Sequence, residues 1–371
     1  MVRKRSISLR MKIASPTLSL RNSPDPRSFT VTTMNKKLSY IQYLRGIAAV
    51  MVIFAHATTA IYDGGIQNGY RLEDLGTLGV YIFFIISGFI MMKATYKKTW
   101  SPQEAKTFLI HRFNRVIPPY WFWTTALLAL WFAGLALKSH HFDMGKILSS
   151  YLLLPRIGED GRINPILSQG WTLIYEMFFY CLFAVCIFFG RKNRILLTLS
   201  CCFLLSFLIG KWLPADTGAS IVLTNPILLY FLAGMVIFFV SERLTVKNGF
   251  LLSAIVLVLY LICRLFQPTW LPVIFYISPI FVVLFSACSL EGWTSRALML
   301  IGDASYSIYL AHGFVTMTLS MLMKKLAVSD INQTAVIILT TLVSLVFGIV
   351  AYRVVEKPLT ALIPSKRIVK A

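Results

Sequence analysis

The stretch LRGIAAVMVIFAH, residues 44–56, decides the fold. It is apolar throughout except for an arginine at its second position and a histidine at its last. Carried on to residue 62 it is long enough to cross about 30 Å of hydrocarbon, which takes roughly 20 helical residues. Similar runs recur along a chain of 371 residues that is 57% hydrophobic and only 14% charged. That composition belongs to an integral membrane protein and excludes an ordinary water-soluble domain.

Working outward from this stretch, apolar runs place spans near 44–62, 76–94, 117–137, 171–190, 195–213, 221–240, 249–267, 271–290, 298–320 and 334–352. The expected fold is therefore an all-α bundle of about ten transmembrane helices. Residues 147–154, ILSSYLLL, are too short to cross and are expected to lie buried or interfacial; a crossing there would invert every later span. With both termini cytoplasmic, 27 of the 36 lysines and arginines fall on the inner side, as the positive-inside rule requires. The net charge of +21 is then a topology signal with affinity for anionic lipid, and nucleic acid is not needed to explain it.

Residues 1–33 are expected to be a basic, disordered tail, or the product of an overcalled start codon with translation beginning at Met34. Residues 34–360 form the polytopic membrane domain, and 361–371 a short basic cytoplasmic tail. The six cysteines all fall within expected spans, without paired loop spacing, and read as small packing residues. His140 and His141 have no ligand set beyond Asp143, so no metal site is expected.

Polar residues inside a membrane are costly, and each marks a candidate site. Arg45 and His56 are eleven residues apart, about three full turns, so they share one helical face some 16 Å apart. They are expected to line one wall of a single inward-facing cavity. HRFNRVIPPYW, residues 111–121, sets Arg112 and Arg115 side by side, two forked guanidiniums suited to phosphate. Pro118 and Pro119 are expected to break or tilt the first turn of the third span. GWTLIYEMFFY, residues 170–180, carries Glu176 one to two turns in from the outer side, where it must be paired, protonated or water-facing. GDASYSIYLAHG, residues 302–313, puts Asp303 near the inner end of the ninth span and His312 near its middle.

These features together resemble the membrane acyltransferase-3 family, most closely its exopolysaccharide-acetylating members. The likeness runs from about residue 38 to about residue 358. It rests on Arg45 with ten residues before His56, GVYIFFIISGFIM at 79–91, the Arg112–Arg115 pair, the Trp171 to Glu176 segment and the SYSIYLAH run. The resemblance implies a membrane-bound O-acyltransferase, transferring groups other than amino-acyl groups, in the inner (plasma) membrane of a bacterium. It moves an acyl group, usually acetyl from acetyl-CoA, to a hydroxyl of a cell-envelope polysaccharide or glycolipid. No cofactor is permanently bound; acyl-CoA is a co-substrate, membrane lipid surrounds the chain, and polysaccharide-biosynthesis proteins are expected partners.

The expected mechanism puts the donor's phosphates on Arg112 and Arg115, with Arg45 near the cavity mouth. His56 is the general base on the acceptor hydroxyl. Glu176 orients His56 or binds sugar hydroxyls. Ser87, Trp171, Tyr306 and His312 are further cavity-lining candidates. A carrier or flippase for an envelope lipid or sugar is the main alternative, sharing midplane polar residues but commonly built from internal repeats, which are not evident here. A structural partner in polysaccharide export is a third.

Overall fold

An apolar run stays in one helix unless something breaks its hydrogen-bond ladder, and residues 26–61 hold only Pro26, at the helix start where proline is tolerated, and Gly46. The computed structural model describes residues 26–61, 73–137, 141–266, 271–289, 294–326 and 332–362. There α1 runs from Pro26 to Ile61 without interruption. It already takes in residues 26–33 of the segment expected as a disordered tail; residues 1–25 and most of the expected C-terminal tail lie outside the described residues.

The remaining helices are α2 (Glu73–Thr95), α3 (Pro102–Phe132), α4 (Met144–Tyr151), α5 (Trp171–Phe188), α6 (Ile195–Trp212), α7 (Gly218–Thr224) and α8 (Leu228–Ser241). They continue as α9 (Gly249–Phe266), α10 (Leu271–Cys288), α11 (Arg296–Asp303), α12 (Ser305–Leu326), α13 (Gln333–Ala351) and α14 (Lys357–Ala361), with a π-helical segment, Tyr352–Glu356, before the last. The described residues contain no strand. Six segments are long and apolar enough to cross a membrane: Ser39–Ile61, Asp74–Thr95, Ser168–Phe188, Lys192–Trp212, Gly218–Ser241 and Gln333–Ala361. The other four expected spans are helical too, but among the described residues length and composition alone do not carry them across, so the expected ten is not reached on that criterion.

Three expectations change in detail. The third span begins earlier, as α3 already covers Pro102 to Phe132 and Pro118 and Pro119 lie inside it instead of breaking its start. The two carbonyls that these prolines leave without their helical N–H belong to Asn114 and Arg115, which line a cavity, so their release does not strand them in lipid. The ninth span is two helices, α11 and α12, divided at Ala304. The sixth is likewise interrupted, between Thr224 and Leu228, where Asn225 and Pro226 intervene; the Asn225 side chain accepts from the Ile227 backbone N–H at 2.9 Å.

Close approach fixes the inner helices. In lipid, helices gain little from the hydrophobic effect and associate through packing and small residues. α2 and α8 meet through Gly88 and Gly234: a Cβ on either would overlap a backbone carbonyl of the other helix, Phe231 or Ile85. Around this contact Phe179 stacks on Phe231 at 4.0 Å between ring centroids, and Phe84 meets Phe231 edge-on at 4.8 Å. The same logic brings Gly302 of α11 against the Gln42 backbone of α1. α11 and α12 therefore run beside α1 in the same direction, with His312 beside His56 and Ser320 bonded to the Ala60 carbonyl.

This arrangement gives the bundle an arginine end, near Arg45, and a histidine end, near His56. α3 runs toward the histidine end and α5 returns from it, since Leu127 and Gln169 both line the cavity there. The intervening 147–154 run sits largely in the eight-residue α4 and does not cross, so later helices are not inverted.

Candidate active site

Five helices converge on a small cavity at the arginine end. Arg45 comes from α1, Ser87 from α2, Arg112 and Arg115 from α3, Thr172, Glu176 and Tyr180 from α5, and Tyr306 and Tyr309 from α12. Its volume is about 100 Å³. A wider cavity of about 680 Å³ adjoins it, sharing Arg45, Ile90 and Arg115 as walls and adding Gln42, His111, Asn114, Asp303 and Glu356.

Arg45, Arg112 and Glu176 are each held by a neighbour. Arg45 donates from Nη1 to Gln42 Oε1 at 3.0 Å, and Gln42 Nε2 donates to Asp303 Oδ1 at 2.6 Å, so one amide links arginine to carboxylate. Arg112 lies over the rings of Phe108 and Tyr180, 5.4 and 5.5 Å from their centroids, a stacking that leaves its N–H edge available. Glu176 accepts from Ser87 Oγ at 3.1 Å and from the Tyr180 hydroxyl. Tyr306 donates to the Val116 carbonyl at 2.7 Å. Among the described residues none of the three guanidiniums forms a salt bridge with a carboxylate. The small cavity thus gathers three guanidiniums around the single carboxylate of Glu176, a surplus of positive charge that phosphate oxygens can satisfy.

At the histidine end a second cavity, of about 440 Å³, is lined by His56, Thr59, Lys146, Asn164, Gln169 and Thr316 along with apolar Leu127, Phe142, Phe314 and Met317. Polar side chains among flat apolar ones suit a sugar, which presents hydroxyls at its edges and C–H groups on its faces. His56 is exposed into this space. Its Nδ1 lies 2.8 Å from the Val52 carbonyl. A carbonyl can only accept, so Nδ1 is the donor, and in the neutral ring the lone pair lies on Nε2.

A thin wall separates the two. Tyr309, which lines the arginine cavity, donates its hydroxyl to the Gln169 carbonyl at 3.0 Å and lies 2.9 Å from the Thr172 hydroxyl. Gln169 lines the histidine cavity. Behind Tyr309, fully buried His312 sets its Nδ1 2.7 Å from the Tyr309 carbonyl and its ring edge-on to His56, 5.0 Å between centroids. Its Nε2 has no hydrogen-bond partner among the described residues.

Arg45, Arg112, Arg115, Glu176, Ser87 and Tyr306 are brought together. Arg45 and His56 share a helical face yet line different cavities, because side chains of α5 and α12 close the space between them. Glu176, expected to orient His56 or to bind sugar hydroxyls, lines the arginine cavity, where Ser87 and Tyr180 hold it. His312 lines no cavity, being wholly buried, and Trp171 packs edge-on to Tyr175 at 5.9 Å away from all the cavities described. No group of three or more metal-ligating side chains occurs among the described residues.

Several site residues were missed. Tyr180 and Thr172 lie one turn either side of Glu176 on the face it shares, a spacing that signals them. Glu356 gave no such signal. It is buried at 8% exposure and accepts from Ser307 Oγ at 2.5 Å and from its backbone N–H at 3.1 Å; the π turn that carries it adds a residue to the helix and shifts the facing, a distortion common at functional sites.

Comparison with known proteins gives the family. The acyltransferase-3 family, described as an acyltransferase domain, matches residues 38–353. The chain is 33% identical over 314 residues to the exopolysaccharide production protein ExoZ of Rhizobium meliloti (strain 1021), covering 81% of this chain and 94% of that protein. No solved structure matches. The apolar helices and the family together point to a multi-pass membrane protein. The chain belongs to the acyltransferase-3 family and is an acyltransferase.

Proposed function

We propose that the protein is an O-acyltransferase of a bacterial inner membrane, with its arginine end and both termini in the cytoplasm. It transfers an acyl group, acetyl from acetyl-CoA, to a hydroxyl of an exopolysaccharide or its lipid-linked precursor. The observation that carries this reading is the pairing of an arginine cavity suited to phosphate with an imidazole exposed in a cavity of mixed polar and apolar lining behind one thin wall. The exopolysaccharide link rests on the name of the ExoZ relative.

In this reading the donor's phosphates lie against Arg45, Arg112 and Arg115 where the wider cavity meets the narrower one, and its pantetheine arm continues into the narrower one. The thioester passes the Tyr309–Gln169 wall when that hydrogen bond opens. His56 Nε2 takes the proton of the acceptor hydroxyl as the oxygen attacks the thioester carbonyl. Collapse of the tetrahedral intermediate expels the CoA thiolate, and the imidazolium returns the proton to it, leaving ester, CoA and neutral His56.

Detergent-purified protein, wild type beside His56→Ala, is assayed for CoA release from acetyl-CoA with lipid-linked oligosaccharides from the source cell. Release that requires both acceptor and His56 supports the reading. Release absent with a folded protein and a broad acceptor panel overturns it and returns weight to a carrier, to be followed by a flipping assay.

A further inference from the structure

A third cavity, of about 520 Å³, lies at the arginine end but shares no lining residue with the candidate active site. It forms between the α2–α3 turn and the α5–α6 turn. Lys97 and Lys98 come from the first, Arg191, Lys192 and Arg194 from the second, and no carboxylate lines it. The aromatic group Trp100, Phe183 and Phe108, at ring spacings of 5.7 and 5.2 Å, stands between this pocket and Arg112.

The pocket is built, and is more than a solvated charge run. Gly190 takes φ +64°, the left-handed conformation that turns the chain sharply after α5. Lys192 reaches back across the gap: its Nζ lies over the Tyr96 ring at 4.8 Å and donates to the Lys98 carbonyl at 3.4 Å. Trp100 Nε1 donates to the Thr95 carbonyl at 3.0 Å and closes the opposite wall. Lys98 is paired with Glu104 at 3.1 Å, while Arg191 and Arg194 are exposed and join no salt bridge among the described residues. The apolar surface begins at once on either side, with Phe188 and Phe189 just before the turn and Leu197 one turn into α6, all at least half exposed.

We propose that this pocket binds the phosphate-bearing headgroup of an anionic membrane lipid, with the acyl chains lying along Phe188, Phe189 and Leu197. The cations specify phosphate; the adjoining apolar surface is what selects a lipid over a soluble phosphate compound. The inference is independent of the acyl-transfer reading, since it uses none of its residues.

The test is native mass spectrometry of the full chain with tetraoleoyl cardiolipin as the anionic probe and dioleoyl phosphatidylcholine as the neutral one. Wild type should retain cardiolipin in preference to phosphatidylcholine. The triple variant Arg191→Gln, Lys192→Gln, Arg194→Gln should lose that preference by on the order of 100-fold at low ionic strength, from about 1 kcal/mol per cation removed. The milder Arg194→Gln, at an exposed position, should weaken it roughly fivefold by the same rule and covers failure of the triple variant to fold. Millimolar acetyl-CoA and inorganic phosphate should leave the bound lipid in place. Equal retention of the two lipids by wild type, or of cardiolipin by wild type and Arg194→Gln, overturns the proposal. So does displacement by acetyl-CoA or phosphate, which would make the pocket a site for soluble phosphate.

Discussion

The arginine cavity and the histidine cavity lie on one face of α1, yet they are built differently. The first is narrow, its cations held by an amide and by aromatic rings and its carboxylate by hydroxyls. The second is wider, with a mixed lining and a histidine whose only hydrogen-bond partner among the described residues is its own helix backbone. Tight, pre-set charge suits a ligand of fixed chemistry such as a CoA phosphate. Room and mixed polarity suit a variable sugar. The difference teaches that two substrates met from opposite sides of a bundle need separate chambers, and that the wall between them is part of the machinery.

The strongest way to break this comparison is to remove the base. His56→Ala should lower acyl transfer by about 10²- to 10⁴-fold with the protein level in the membrane unchanged, as measured by acceptor-dependent CoA release. Next comes the donor side. Arg112→Gln with Arg115→Gln should raise the KM for acetyl-CoA by about 10- to 100-fold, the loss of charge-assisted bonds to phosphate, while kcat at saturating donor falls much less. A fall in kcat alone would mean that the pair does not hold the donor.

The wall gives a subtler effect. Tyr309→Phe removes the hydroxyl that joins Gln169 and Thr172 and should cost about 1 kcal/mol of stability per bond lost. It should also raise acceptor-independent CoA release relative to transfer, because the chambers are less well sealed. An unchanged ratio would show that Tyr309 does not separate them. Glu356→Gln should destabilise the folded protein by about 1–3 kcal/mol through its Ser307 bonds, read by thermal melting in detergent. The smallest effect is expected at the exposed Asp143–Arg156 pair, 2.8 Å apart, which borders the histidine chamber but lines neither cavity. The Arg156 guanidinium holds the Asp143 carboxyl below the usual carboxylate range, so what it contributes is present above the ordinary carboxylate pKa and is lost as pH falls through the lowered one. Asp143→Asn should leave transfer unchanged at neutral pH.

Much of this was legible in the sequence because it is local. Helical spacing put Arg45 and His56 on one face and Arg112 beside Arg115, and apolar runs marked most of the helices. The arginine cluster therefore emerged as expected. What sequence could not reveal depends on residues far apart in the chain. The wall joins Thr172 to Tyr309 across 137 positions, and Ser307 meets Glu356 across 49 through a π turn that no periodicity announces. Glu176 lies one to two turns into α5 from the histidine end, as helical position alone indicates, but only the packing of Ser87 and Tyr180 shows which cavity its carboxylate enters. The break at Ala304 and the unbroken passage of α3 through Pro118 and Pro119 were hidden similarly, since each is decided by what lies alongside.

The division of labour between the chambers is tested most directly by titrating CoA into purified His56→Ala and into the Arg112→Gln, Arg115→Gln variant, beside wild type, by calorimetry. His56→Ala should bind CoA with wild-type affinity yet fail to turn over, and the arginine variant should bind about tenfold or more weakly. Donor affinity lost as severely in His56→Ala as in the arginine variant would contradict that division, because the two cavities would then be one site.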